Sequence, residues 1–322
     1  MWLARSFFRE PRKPTQMAEQ ANGTSRTRVR HFARRGTRLT LPLAALCLAA
    51  GVMAQPTPIG ADPAWYSGEP AWYHASWSYR KKITIDRSKV PSTLTDFPVL
   101  VSFTTDTDLA ADAQDDADDL LITAGDGTTK LAHEIEKFNG STGELVAWVK
   151  VPVLSSTEST VLYLYYGNAG AASQQNATGV WDSNYKGVWH LKEDPSTTCS
   201  GTKEFCDSTS NANHGDQNNM EAGDQVAAKI NGGVDLDGSN EYADMGNPST
   251  LDDLAAISAS AWIKADTQGA SYAAQFIAKS TTISPVANGW GFGWEFRNGN
   301  TQQLRFEVSY GIGATNLAVL EP

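Results

Sequence analysis

From Trp77 onward the apolar positions follow a period of two. In Glu144-Leu-Val-Ala-Trp-Val-Lys-Val151 the side chains of Leu145, Ala147, Val149 and Val151 recur at every second residue. Because successive side chains of a strand point to opposite faces, this spacing predicts a strand with one face on a core. Tyr79 to Asp86, Phe97 to Phe103 and Ser159 to Tyr166 have the same β-branched and aromatic texture and are separated by Pro, Gly, Asp and Asn. Short strands broken by turn residues at close intervals predict a β-sandwich. The only stretch of helical character is the acidic piece Ala110 to Leu121.

A small-residue stretch, Gly167 to Ser173, interrupts this pattern, and a further set of strand-like runs follows. These are Gly233 to Leu236, Ile257 to Lys264, Gln275 to Lys279, Gly291 to Phe296 and Gln303 to Val308. The reading is an all-β chain of two sandwich domains, 77–170 and 180–322. The 180–322 domain is expected to be incomplete, because no terminal turn follows Leu320-Glu-Pro322.

The first 54 residues are of another kind. A basic stretch, Arg26 to Arg38, leads into the apolar run Leu39 to Met53, and Val52-Met53-Ala54 places small residues before Gln55. That is the layout of an export signal, with too short an apolar run to span a membrane. Translation could start at Met17 instead. Residues 55–76 read as a linker carrying an echo, Pro63-Ala-Trp-Tyr66 and Pro70-Ala-Trp-Tyr73. Such aromatic pairs either stack on a sugar ring or tuck against the neighbouring domain.

Charge sharpens the picture once the signal is set apart. The chain has 26 Lys and Arg against 36 Asp and Glu; ten and two of these precede residue 55, leaving 16 and 34, a formal charge of −18. Nucleic acid, which needs a basic surface, is excluded as a partner. Of the cysteines, Cys199 and Cys206 stand close together in a polar loop. In an oxidising compartment they predict a local disulfide. A zinc site would need two further soft ligands, with His190 and His214 the candidates.

Two resemblances emerge from the residues. Trp77-Ser-Tyr-Arg-Lys-Lys-Ile83, the acidic Asp115 to Leu120 before Gly125-Asp-Gly127, His133-Glu-Ile-Glu136, Ala147-Trp-Val-Lys-Val-Pro152 and Leu164-Tyr-Tyr-Gly-Asn168 occur in that order. In these motifs residues 77–168 resemble the domain of unknown function DUF2341. Val188-Trp-His-Leu191, Asp207 to Gly215, Val234 to Tyr242 and Ser260-Ala-Trp-Ile-Lys264 resemble a concanavalin A-like, LamG-type jelly roll. The resemblance implies a bacterial or archaeal surface protein. Some relatives continue into a proton-channel subunit of the MotA/TolQ/ExbB type.

The chemistry within this frame is sparse. A jelly-roll glycosidase needs carboxylates spaced along one strand, and the Glu-x-Asp-x-x-Glu pattern is missing. Glu134 and Glu136 would share a strand face without a third member, and Glu193 and Asp194 would point apart; both pairs read as solvated strand-edge charges. No nucleophile elbow, His-Glu-x-x-His or phosphate-binding loop occurs. Asp106, Asp108 and the run Asp112 to Asp119 lack the spacing that wraps oxygens around calcium and read as a solvated acidic face. Asp207, with Asn211 or Asn213, offers oxygens that either ligate calcium or close Asx turns. Trp290, Phe292 and Trp294 alternate with Gly289, Gly291 and Gly293. They form either a core face or an aromatic platform for a sugar, with Trp290 and Trp294 as ligand-binding candidates.

These features point to a non-catalytic extracellular or envelope protein that binds carbohydrate or another cell-surface component. It requires no cofactor, with calcium an option, and touches a membrane only if a C-terminal extension exists. The alternatives are the periplasmic ectodomain of a membrane assembly and an accessory part of a carbohydrate-active enzyme.

Overall fold

A computed structural model of the chain describes residues 3–11, 69–252, 256–264, 273–279, 282–283, 286–287, 289–297, 301–309 and 315–320. Most of the signal and linker expected from the sequence, residues 12–68, lies outside them.

The first sandwich is built as its period-two runs require. Its strands are β1 (Leu3–Pro11), β2 (Tyr79–Ile85), β3 (Leu94–Phe103), β4 (Leu121–Ala124), β5 (His133–Asn139), β6 (Glu144–Leu154) and β7 (Thr160–Tyr166). They join in the order β4-β7-β2-β1-β3-β6-β5, with β1 antiparallel to β2 and parallel to β3. The β4-β7-β2 half faces the β3-β6-β5 half. Ile83, Ile85, Leu162 and Leu164 from one half meet Val99, Val101, Leu145, Ala147, Val149 and Val151 from the other in one buried cluster. Each is at most 2 % exposed, so burying the Val, Leu and Ile side chains among them contributes about 1.5–3 kcal/mol apiece. A short helix, α1 (Thr107–Asp112), closes one end through Leu109, and Asp106 caps it by accepting from the N–H groups of Asp108 and Leu109.

The outer face of the β4-β7-β2 half is covered by the chain that leads into β2. Trp72 and Tyr73 pack on Tyr165, and Tyr73 on Trp77, all with ring centroids 5.4–6.1 Å apart. The Pro70-Ala-Trp-Tyr73 copy of the echo therefore tucks against the sandwich. Buried Arg80 lies between the Trp72 and Tyr163 rings and donates to the carbonyls of Pro70 and Ala71. Gly127, at φ +76°, closes the turn where Ala71 approaches; a Cβ there would meet the Ala71 oxygen at 2.1 Å.

Beyond β7 the elements are short. A single helical turn, α2 (Ala177–Val180), precedes β8 (Asp216–Asn218), β9 (Gln225–Ala227), β10 (Gly232–Val234) and β11 (Tyr242–Asp244), which pair as β9-β10 and β8-β11. The last part holds β12 (Ala273–Lys279), the small hairpin β13 (Thr282–Ile283) and β14 (Val286–Ala287), then β15 (Gly289–Arg297), β16 (Thr301–Ser309) and β17 (Thr315–Leu320). β12-β15-β16-β17 form an antiparallel sheet. The chain is thus all-β with sandwich character. Among the described residues no helix is long and apolar enough to cross a membrane.

Candidate functional site

On the outer face of the β3-β6-β5 half, five side chains from three stretches converge. Glu134 and Glu136 stand on β5, and Trp148 on β6 lies directly across from Glu134. Alternation puts both glutamates on this face and Ile135 on the core, and a register shift between Ile135 and Lys137 then turns Phe138 to the core as well. The third stretch is the chain after β7, which brings Trp181 and His190 over this face. α2 holds it there: Asn176 donates its N–H to the His133 carbonyl at 2.9 Å, and Val180 is fully buried.

The expectation that Glu134 and Glu136 are solvated is overturned, since they are only 7 % and 5 % exposed. Although β5 is an edge strand, its outer face is covered by residues more than 40 positions downstream. Glu134 accepts from Trp181 Nε1 at 2.9 Å and from Ser208 Oγ at 2.5 Å. Glu136 accepts from Trp148 Nε1 at 2.8 Å, and its carbonyl accepts from Lys192 Nζ and Asn231 Nδ2. His190 lies between the carboxylates, Nε2 at 3.2 Å from Glu134 and Nδ1 at 3.2 Å from Glu136. The Nε2 contact is out of line for a hydrogen bond and is a close polar contact. The rings of Trp148 and Trp181 pack at 5.4 Å and flank the imidazole at 6.3 Å each.

Their surroundings push the two carboxyl groups apart. Burial drives Glu134 upward, but the close contact with His190, with the Ser208 and Trp181 bonds, holds it below the ordinary value. Burial also drives Glu136 upward. There His190, Trp148 and Lys192 offset only part of the rise, and the Glu134 charge adds to it. An imidazole ring protonated on both nitrogens would present one donor to each carboxylate.

The other sites proposed from sequence fall elsewhere. Asp207 is buried, and its carboxylate accepts from the N–H groups of Val188, Thr209 and Asn213 and from Thr209 Oγ1, all at 2.8–2.9 Å. Asn211 and Asn213 donate their side-chain amides to the Tyr185 and Lys186 carbonyls. The loop is therefore organised around Asp207 as an acceptor of protein donors. Cys199 and Cys206 form the expected disulfide. Glu193 lies beside it, Oε1 accepting from the Cys206 N–H at 3.3 Å, and Asp194 caps the turn at Ser196. Since the two sulfurs are bonded to each other, that group presents no thiolate to a metal. Asp106 and Asp108 pair with Lys81, and Asp119 is fully buried, accepting from the N–H groups of Gln114, Gly167 and Asn168. These members of the acidic run are thus partnered rather than solvated.

Trp290 and Trp294 take strand positions opposite Val308 and Leu304. Trp290 is half-buried, with no partner for its buried Nε1 among the described residues, and Gly291 and Gly293 are buried. The side chains of Phe292 and Trp294 lie outside the described residues. By contrast, Trp262 from the Ser260-Ala-Trp-Ile-Lys264 motif is 63 % exposed, and its backbone is not in a strand.

Comparison with known families fits the glutamate cluster into a defined stretch: residues 116–198 match the family described as domain of unknown function (DUF2341). Those residues form a DUF2341 domain. It begins after the start of the sandwich and runs past β7, so Glu134, Glu136, Trp148, Trp181 and His190 all lie inside it. No curated protein and no solved structure matches the chain.

Sequence reasoning missed His190 and Trp181 as partners of the DUF2341 glutamates. The signal available was the shared face of Glu134 and Glu136 opposite a tryptophan; nothing local identified the segment that covers it.

Proposed function

We propose that the protein is a non-catalytic binding or adhesion protein of the cell exterior or envelope, with carbohydrate or another cell-surface component as its ligand. The observation that carries the reading is the exposure of aromatic side chains in the second half. Trp262 is 63 % and Tyr242 52 % exposed, and Lys229 Nζ lies 5.8 Å from the Trp262 ring centroid. An indole left in water offers a flat apolar face to the C–H side of a sugar ring, and large exposed apolar surface marks interaction sites. The disulfide suits an oxidising compartment.

The DUF2341 glutamates support a holding role for that domain. Their carboxylates are occupied by Trp148 of the same sheet and by Trp181, Ser208 and His190, which fasten the chain after β7 to it. The resemblance of the second half to a LamG-type jelly roll belongs to the same proposal.

A glycan array probed with the full chain, with and without calcium, tests the reading. Binding that Trp262→Ala abolishes at an unchanged melting temperature supports it. Silence in both conditions, or polysaccharide hydrolysis by the wild-type chain, refutes it.

A further inference from the structure

The geometry points to an intramolecular isopeptide bond between Lys81 and Asp106, with Asp108 as the group that moves the protons. The inference stands apart from the ligand reading. Lys81 lies on β2 within the interior row that continues through Ile83 and Ile85, paired across the sheet with Leu164. Its side chain is only 6 % exposed and ends against Asp106, whose side chain is 11 % exposed. A second carboxylate, Asp108 Oδ2, lies 3.3 Å from the same nitrogen. A buried lysine directly on one aspartate, with another carboxylate in reach, is the arrangement that amide formation requires: a nucleophile, an acyl group and a base.

Asp106 is positioned to act as the acyl group. Its Oδ1 accepts from the backbone N–H groups of Asp108 at 3.1 Å and Leu109 at 3.0 Å, while Oδ2 faces Lys81. Its own N–H donates to the Thr142 carbonyl at 2.9 Å, which ties the residue to the β5–β6 turn. The two donors on Oδ1 would stabilise the oxyanion of a tetrahedral intermediate, leaving Oδ2 as the departing oxygen.

The step balances without an oxidant or co-reactant. Asp108 takes a proton from the Lys81 ammonium and delivers it to Asp106 Oδ2; the freed Nζ lone pair forms a bond to Cγ of the resulting carboxylic acid, and the oxyanion develops on Oδ1. The Cγ–Oδ2 bond then breaks. Oδ2 leaves as water, carrying two protons that came from Nζ, both relayed through Asp108. Ammonium and carboxylate become a neutral amide and water, and nothing is oxidised or reduced. Replacing a buried ion pair by an amide also removes the cost of holding two charges away from solvent. The bond would link β2 of one half of the sandwich to the loop after β3 of the other, a covalent tie between the two sheets.

Peptide mapping of the purified wild-type full chain tests this. Protein is denatured, acetylated, digested and read by tandem mass spectrometry. The expected result is a cross-linked species joining the Lys81 peptide to the Asp106 peptide, lighter than their sum by one water, with Lys81 unacetylated. Asp108→Asn, which leaves Lys81 and Asp106 in place, should yield both peptides unlinked and Lys81 acetylated. Wild-type Lys81 recovered as an acetylated, unlinked residue overturns the proposal, as does an Asp108→Asn protein that is still linked. Since the wild-type arm needs no variant to fold, a misfolded variant leaves the decision intact.

Discussion

Replacing Glu134 by Gln is the sharpest test of the cluster that fastens the chain after β7 to the sheet. The change keeps the shape and removes the charge. Glu134 receives the Trp181 N–H, the Ser208 hydroxyl and the His190 ring on one carboxylate, at 2.9, 2.5 and 3.2 Å. A glutamine oxygen can serve only one of these sides, and its NH2 group would face a donor on the other. Leaving a buried donor without its acceptor costs about 1–3 kcal/mol. The Nε2 contact is poorly aligned and Ser208 can rotate to accept, so one such loss at the upper end, about 3 kcal/mol, is expected. The assay is urea unfolding at neutral pH followed by tryptophan fluorescence, with hydrogen exchange over residues 181–190 to show local release. A double-mutant cycle with His190→Gln should give a coupling of about 2 kcal/mol. The pH dependence has a definite sign. Because Glu134 is held below its ordinary value of 4.5, its contribution is present above that pH and is lost as pH falls through the lower folded value. The difference between wild type and variant should therefore shrink in acid. A loss under about 1 kcal/mol with additive single mutants would refute the argument.

Other expectations follow from the same geometry. Glu136 is pushed above its ordinary value, so its contribution is present on the acid side and is lost as pH rises through the folded value. Glu136→Gln should accordingly cost less at neutral pH than Glu134→Gln in the same urea titration, and equal costs would sink that distinction. Burial holds the fully buried His133 below its ordinary 6.5; its contribution is present above that pH and falls away below it, a slope that His133→Leu should remove from stability measured across mildly acidic pH. Asp207→Ala strands four donors and should cost about 3 kcal/mol, with calcium unable to restore the melting temperature; restoration would return the loop to the calcium reading. Cys206→Ser opens a short loop of sequence separation 7 and should cost about 2.5 kcal/mol by loop-closure entropy, read as the shift in urea midpoint.

Much of the first sandwich was legible because its information is local. Alternation in Leu145, Ala147, Val149 and Val151 marks which side of β6 faces the core, and all four are buried. The cysteine pair was legible for the same reason, since a short loop joins its members. The second half was harder. Ile257 to Lys264 has strand-forming residues, yet its described backbone runs without strand pairing and leaves Trp262 in solvent. Propensity for a strand is a fit to a half-buried surface, and among the described residues none supplies that surface to residues 257–264.

The glutamate cluster shows where a period-two pattern stops being informative. Alternation places Glu134, Glu136 and Trp148 on the face opposite the core, and there a carboxylate ordinarily means water. Burying two carboxylates is tolerable only when donors converge on them. Here the donors are two indole N–H groups and a hydroxyl, with an imidazole in contact with both carboxylates; Trp181, Ser208 and His190 come from beyond the last strand of the sheet. An indole N–H has a single acceptor to find, and when buried it must find one nearby. A tryptophan opposite a carboxylate on the outer side of a strand is therefore a sign that the face is docked. The partner should be sought among downstream Trp, His and Ser residues rather than along the strand itself.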